Sequence, residues 1–210
     1  MNFKNNRVDY KKFKINFKNL DENPIDFFLN WFDDILQINK EANACVLSTV
    51  SHDKKPSSRV ILLKDVSEQG FIFFTNYHSD KSVDIEGNNY VALNFHWSEL
   101  ERQVRIYGKA EKISDRESDI YFKSRPRESQ MGAYLSNQSR VINFDYNFSE
   151  KLKELINRMQ GKNINRPAYW GGYCIIPDKI EFWQGRPSRL HDRLIYEFNG
   201  QGWDIKRLAP

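Results

Sequence analysis

Five short runs rich in β-branched and aromatic residues succeed one another through the first half of the chain, at 44–51, 57–65, 70–75, 90–97 and 101–113. Only His52-Asp53-Lys54-Lys55-Pro56 and Ser67-Glu68-Gln69-Gly70 separate the first three. A parallel connection needs a dozen or more residues, so turns this short dictate antiparallel pairing. Further strands are expected at 172–177, 179–184 and 194–206. Asn23-Pro24 starts a helix, and Ile25, Phe28, Leu29, Phe32, Ile35 and Leu36 continue it at helical spacing, which predicts a helix over about 24–40. Shorter helical patterns occupy 79–87, 115–124 and 149–160. The fold class is therefore mainly β: an antiparallel sheet or small barrel with peripheral α-helices. With no internal repeat, low-complexity segment or long linker, one domain over 21–210 follows a basic arm at 1–20.

Charge and composition narrow the function. A chain that is 40% hydrophobic and 29% charged is no disordered polyelectrolyte. Its longest apolar runs, such as Val60–Leu63 and Gly70–Phe74, are too short to span a bilayer, so no membrane partner is expected. The N-terminal residues lack the apolar stretch of a signal peptide, and Cys45 and Cys174 lie far apart in apolar runs. Buried free thiols in the cytoplasm are the expectation. The net charge is +4, yet residues 1–20 alone carry +5, which leaves the body at −1. Such a body is no platform for nucleic acid. The basic arm is either a solvated tail or a segment that closes over an anionic ligand, with Arg7 and Tyr10 as the residues that leave the second reading open.

No Walker loop, Gly-x-Gly-x-x-Gly, His-Glu-x-x-His or Gly-x-Ser-x-Gly is present. The four histidines have no metal-ligand spacing, so no metal is expected. The polar residues that stand out are clustered. Arg59 and Lys64 sit at the two ends of Ser58–Asp65 with opposite strand parity, so one site can use both only if a bulge or the strand end turns one of them. Ser124-Arg125-Pro126-Arg127-Glu128-Ser129-Gln130 after a helix suits a phosphate, since a guanidinium binds two oxygens and hydroxyls add donors; a surface junction is the alternative. The run Ile180–Arg193 ends in Arg189-Leu190-His191-Asp192-Arg193, a loop costly to bury without an anionic partner. Extended geometry there would aim Arg189, His191 and Arg193 one way.

This last run, Ile180-Glu181-Phe182-Trp183-Gln184, four residues, then Arg189-Leu190-His191-Asp192-Arg193, resembles the C-terminal signature of the pyridoxine/pyridoxamine 5′-phosphate oxidases. The likeness extends in order through Arg59–Lys64, Phe74-Thr75-Asn76, Leu100–Val104, Ser124–Gln130, Gln138-Ser139, Tyr169–Gly172 and Arg207–Pro210, from about Arg7 to the last residue. It implies an FMN-binding split β-barrel, Greek-key-like and antiparallel, that works as a homodimer with clefts shared between subunits. It implies oxidation of pyridoxine 5′-phosphate or pyridoxamine 5′-phosphate to pyridoxal 5′-phosphate, by hydride transfer from substrate C4′ to flavin N5, with O₂ as acceptor. By position, Arg59, Val60, Ile61, Leu62, Leu63, Lys64, Phe74 and Thr75 resemble FMN contacts, as do Lys81, Gln103, Gln138, Ser139, Trp183 and Arg193. Lys64, Tyr121, Arg125 and Ser129 resemble the substrate-phosphate pocket. Arg189, Leu190 and His191 resemble the groups over the substrate ring, with Arg189 and His191 the catalytic candidates, and Arg7 and Tyr10 resemble a covering arm.

One position departs from the pattern. Asp80 stands where family members usually carry an arginine beside the FMN phosphate, and Arg105, of the same strand parity as Gln103, is the candidate to compensate. Two other classes share parts of the pattern: a different FMN split-barrel flavoprotein, and a binder that holds pyridoxal phosphate without turning it over. The first would not need Tyr121, Arg125, Ser129, Arg189 and His191 together.

Overall fold

The computed structural model describes Asn2 and residues 8–210. Among them, nine strands form one antiparallel sheet: β1 (Ala44–Val50), β2 (Pro56–Leu62), β3 (Asp65–Ser67), β4 (Gly70–Asn76), β5 (Tyr90–Trp97), β6 (Arg102–Lys112), β7 (Trp170–Gln184), β8 (Asp192–Phe198) and β9 (Trp203–Leu208). The order is β2-β1-β5-β6-β7-β4-β3, with β8 and β9 added on β7. β6 runs along nearly all of β7, while Trp170–Ile175 of β7 pair with β4 and Lys179–Gln184 pair with β8. The sheet therefore divides around β7 into a curled half-barrel.

The sequence suggested two strands where β7 is one. Pro177 does not break it, because the register shifts between Tyr107 and Gly108 and leaves Pro177 opposite the glycine. Prolines are tolerated at such irregularities because the ladder there lacks a bond to lose. A side chain at Gly108 would strike the Ile176 carbonyl, so the close approach requires glycine. The segment expected as a strand at 194–206 is a hairpin instead. Asn199 Oδ1 accepts from the amides of Gln201 and Gly202, and Gly200 takes φ +95°, which turns β8 into β9.

Helix α1 (Pro24–Leu36) starts where expected, with Asn23 Oδ1 accepting from the Ile25 amide. It stops short of residue 40 because the amides of Ile38 and Asn39 both turn back onto the Ile35 carbonyl. Its buried face packs on the sheet. Phe28 is fully buried, with its ring 5.0 Å from that of Phe71 and 5.2 Å from that of Phe95. Truncating such a residue to alanine typically costs about 3–5 kcal/mol.

A second apolar cluster gathers Phe122, Met131, Leu155 and Trp170. It joins α3 (Asp115–Ser124), α4 (Arg127–Leu135) and α5 (Phe148–Arg158) to the start of β7. A Ser114/Glu117 capping box starts α3. Helix α4 was not anticipated, since Pro126 before it and Gly132 within it blur the helical signal. Helix α2 (Asp80–Gly87) follows β4 directly. Among the described residues no helix is long and apolar enough to cross a membrane.

Candidate functional site

The end of β2, strand β4 and helices α2, α3 and α4 enclose a cleft of about 690 Å³. Lys64, Phe74, Thr75, Lys81, Tyr121, Arg125, Ser129 and Gln138 all line it, with Val60, Ile61 and Leu62 along one side. Lys64 reaches it because β2 ends at Leu62: the Leu63 amide still bonds to Asn43, but the Lys64 amide bonds to Ile72 on β4. The strand end thus brings Lys64 to the cleft without bringing Arg59 with it. It also turns the Leu63 side chain into the core, where it is buried, while Val60 is 67% exposed.

One corner of the cleft is built on the N-terminal end of α2. Lys81 is buried there, and its Nζ donates to Thr75 Oγ1 at 3.1 Å, Ser79 Oγ at 3.0 Å and Gln138 Oε1 at 3.3 Å. Each of these acceptors is neutral. Burial, and then the charge of Arg59, push its pKa down to about 8. Arg59 itself does not line the cleft; its guanidinium is held by Thr49 Oγ1 at 2.7 Å and Ser57 Oγ at 2.5 Å, 4.0 Å from Asp84. Ser139 Oγ accepts from the Asp80 amide, which fixes the 136–140 loop on the start of α2.

The other corner is aromatic and cationic. Phe74 and Tyr121 stack at 3.8 Å between centroids, and the Arg125 guanidinium lies 4.6 Å from the Trp170 ring centre. Arg125 Nη1 is buried with no hydrogen-bond partner. Burial lowers the pKa of Arg125 and raises that of Tyr121. A buried guanidinium N–H left unsatisfied is costly, and a bound anion removes the cost. Ser129 stands in the first turn of α4, where free backbone amides favour negative charge.

The Arg189–Arg193 turn lies elsewhere, since none of residues 183–193 lines this cleft. The expected extended run is broken: residues 187–189 form a 3₁₀ turn in which Ser188 (φ 56°) and Arg189 (φ 61°) are left-handed. Arg189 and Leu190 are exposed. His191 packs against Trp183 at 4.5 Å, its Nδ1 accepts from the Arg186 amide, and burial followed by the Arg189 charge lowers its pKa. An imidazole held that way is neutral near pH 7. Arg193 turns away to Glu181, at 2.8 Å. Gln103 sits opposite Trp183 across β6 and β7. Tyr10 packs edge-on to both Trp183 and His191, at a point where any side chain on Gly185 would collide with its ring. The arm is latched there by Lys12 N–H to Glu101 and Ile15 N–H to Asp192. Arg7 lies outside the described residues.

A family profile described as pyridoxamine 5′-phosphate oxidase matches residues 32–150, and one described as the pyridoxine 5′-phosphate oxidase C-terminal dimerisation region matches residues 170–210. A pyridoxine/pyridoxamine 5′-phosphate oxidase from Nostoc sp. is 47% identical over 206 residues, 97% of this chain and 96% of that protein. The chain belongs to the pyridoxine/pyridoxamine 5′-phosphate oxidase family. The Rubrobacter xylanophilus member is 49% identical over 90% of this chain and 88% of its own length. Among solved structures, PhzG from Burkholderia lata 383, in complex with tetrahydrophenazine-1-carboxylic acid, superposes with a TM-score of 0.85 at 26% identity, covering 95% of this chain and all of that one. A pyridoxamine 5′-phosphate oxidase-related, FMN-binding protein from Nostoc punctiforme gives 0.73 at 13% identity, over 90% of this chain and 98% of that one, which supports the split-barrel fold.

Arg105 is tied to Glu181 at 3.2 Å and lies over the Tyr107 ring, so it is not free to replace a cation at α2. The group that meets Asp80 is Arg140, at 3.6 Å, which also donates to the His78 carbonyl. Residue-by-residue matching also passed over Trp170, Asn76 and Ser136 as cleft walls. Trp170 was within reach of the sequence, because Tyr169-Trp170-Gly171-Gly172 opens a strand with its largest ring beside its smallest residues.

Proposed function

We propose that this protein is an FMN-dependent oxidase that converts pyridoxine 5′-phosphate or pyridoxamine 5′-phosphate to pyridoxal 5′-phosphate. The alcohol and O₂ give the aldehyde and H₂O₂; the amine, O₂ and water give the aldehyde, H₂O₂ and ammonia. The observation that carries the reading is the pair of cations in one cleft, Lys81 and Arg125, each buried or half-buried with no carboxylate partner among the described residues. FMN and either substrate each bring a phosphate monoester near −2 at neutral pH. Lys81, Thr75, Gln138 and the α2 end fit the first; Arg125, Ser129, Tyr121 and Lys64 fit the second. When bound, the flavin supplies the two-electron chemistry. The chain's own residues bind, orient and exclude water, with the Phe74–Tyr121–Trp170 rings forming an apolar wall.

Arg189 and His191 are the groups proposed to orient the substrate ring. They lie outside the cleft of their own chain, and 170–210 matches the family's dimerisation region, so the reading has a second copy bring its turn over the cleft. The left-handed backbone at Ser188 and Arg189 supports a functional turn, since such strain persists where the surroundings enforce it. The arm from Tyr10 to Ile15 lies over the body at the turn, with Tyr10 on His191. The free thiols of Cys45 and Cys174 suit a cytoplasmic location.

A PhzG-like activity on a tricyclic acid is the nearest other reading. The unsatisfied Arg125 beside Ser129 favours a phosphate ester instead. The test is anaerobic addition of pyridoxine 5′-phosphate to the FMN-loaded protein, followed by admission of air. Bleaching of the flavin and then H₂O₂ release are expected, and a spectrum that does not change removes the reading. For the shared cleft, Arg125→Ala and His191→Ala proteins are unfolded together, refolded, and assayed at a substrate concentration too low for either alone to turn over. Recovery of up to about a quarter of wild-type activity is expected from mixed dimers, and no recovery counts against the second copy.

A further inference from the structure

We propose that Arg166, on the loop before β7, is a positioning residue for the substrate phosphate, acting through Trp170 and α3. The proposal rests on the substrate reading above. Arg166 does not itself line the cleft. Its side chain is 8% exposed, and all three guanidinium nitrogens are engaged: Nε to Asp119 Oδ1, Nη2 to Asp115 Oδ1 and Nη1 to the Trp170 carbonyl, each at 2.6 Å. Asp115 and Asp119 are one helical turn apart on α3, so the fork grips that helix at two points and the first residue of β7 at a third.

What the clamp holds together is the aromatic and cationic corner of the cleft. Tyr121 lies farther along α3, and Arg125 is its C-terminal cap residue. Trp170 lies parallel to Tyr121, 5° between planes at 6.2 Å, and its ring carries the Arg125 guanidinium at 4.6 Å. Arg125 has no ion pair among the described residues and one buried nitrogen without a partner, so packing on Trp170 and Phe122 is what holds it. Any slip of Trp170 along α3 therefore passes directly to Arg125. Arg166 sets that spacing. A misplacement of about 1 Å at a binding group is enough to cost roughly 10²-fold in a reaction that depends on it. The phosphate is remote from the carbon oxidised, so the loss falls on substrate binding. Lysine replaces the arginine only in part, because a compact ammonium does not span three fixed acceptors.

The experiment measures steady-state oxidation of pyridoxine 5′-phosphate by wild-type, Arg166→Met and Arg166→Lys holoenzymes, with FMN affinity by fluorescence quenching and thermal midpoints alongside. The expected result is a KM raised at least tenfold in Arg166→Met and less in Arg166→Lys, with kcat within about threefold and FMN affinity within twofold. A KM within twofold of wild type overturns the proposal. So does a KM that rises in parallel with a loss of FMN affinity, which marks a general structural role. Should Arg166→Met fail to fold, Asp119→Asn opens the same clamp from α3 and is held to the same split. Absence of turnover by the wild-type holoenzyme strikes the substrate reading instead, and is seen before any variant is made.

Discussion

The cleft and the Arg186–Arg193 turn are both rich in cations, but none of the ion pairs among the described residues involves Lys64, Lys81 or Arg125, whereas in the turn Arg186 lies 3.4 Å from Asp192 and Arg193 2.8 Å from Glu181. Asp192 is shared further with Arg207, and Glu181 with Arg105. Arg186 and Arg193 thus each have a carboxylate within the chain, so the geometry at the two ends of the turn is set before any ligand arrives, while the exposed Arg189 between them has no ion pair among the described residues. The cleft has a surplus that only an outside anion can balance. Burying a charge without a partner is among the least favourable things a fold can do, so a surplus that persists points to a ligand. Counting basic residues along the chain cannot separate the two regions; their carboxylate partners can.

The strongest way to break this comparison is at Arg125. Arg125→Met is expected to raise the KM for pyridoxine 5′-phosphate by roughly 10²-fold, since hydrogen bonds to charged groups are worth about 1.5–3 kcal/mol each. FMN affinity should stay close to wild type, and equal losses of both would mean that the two corners are not separate seats. Next comes Lys81. Lys81→Met should weaken FMN about tenfold or more while leaving riboflavin, which lacks the phosphate, nearly unchanged in parallel fluorescence titrations.

The same lysine gives a signed pH dependence. Its pKa is lowered from 10.5 to about 8 in the ligand-free protein, so between those values the unfolded chain binds more protons than the folded one. Stability of the ligand-free protein therefore rises with pH across that window, and Lys81→Met should be more stable than wild type at pH 7, on the order of 1–3 kcal/mol by denaturant titration. FMN affinity runs the other way. It holds below pH 8 and declines above it as the ammonium is lost, and a flat profile to pH 9.5 would remove Lys81 from the phosphate seat.

Smaller effects sharpen the boundary between the regions. Asp80→Asn should tighten FMN by about two- to threefold, because it removes an exposed carboxylate whose field reaches Lys81 and which Arg140 only partly offsets. Arg105→Ala should change FMN affinity by less than about twofold, since its charge is already committed to Glu181. A larger loss there would revive Arg105 as the compensating cation.

The sequence was most informative where local pattern and chemistry coincide. Alternation and short turns gave the antiparallel strands within a few residues, and Asn23-Pro24 gave the start of α1. It was least informative where a distant contact decides. Pro177 reads as a break until Gly108 is placed opposite it. Arg105 reads as a free cation until Glu181 is found across the ladder. Arg166 reads as one more basic loop residue until α3 and Trp170 close on its guanidinium.

Sequence by itself determined which groups this protein has for holding phosphate and which signature they compose, because residue types and spacings are covalent facts. Only the tertiary structure decided which of those groups are left without a counter-charge and which cleft they share. That choice depends on partners brought from 40 or more positions away, such as Lys81 with Gln138 and Arg125 with Trp170, and no local pattern records them.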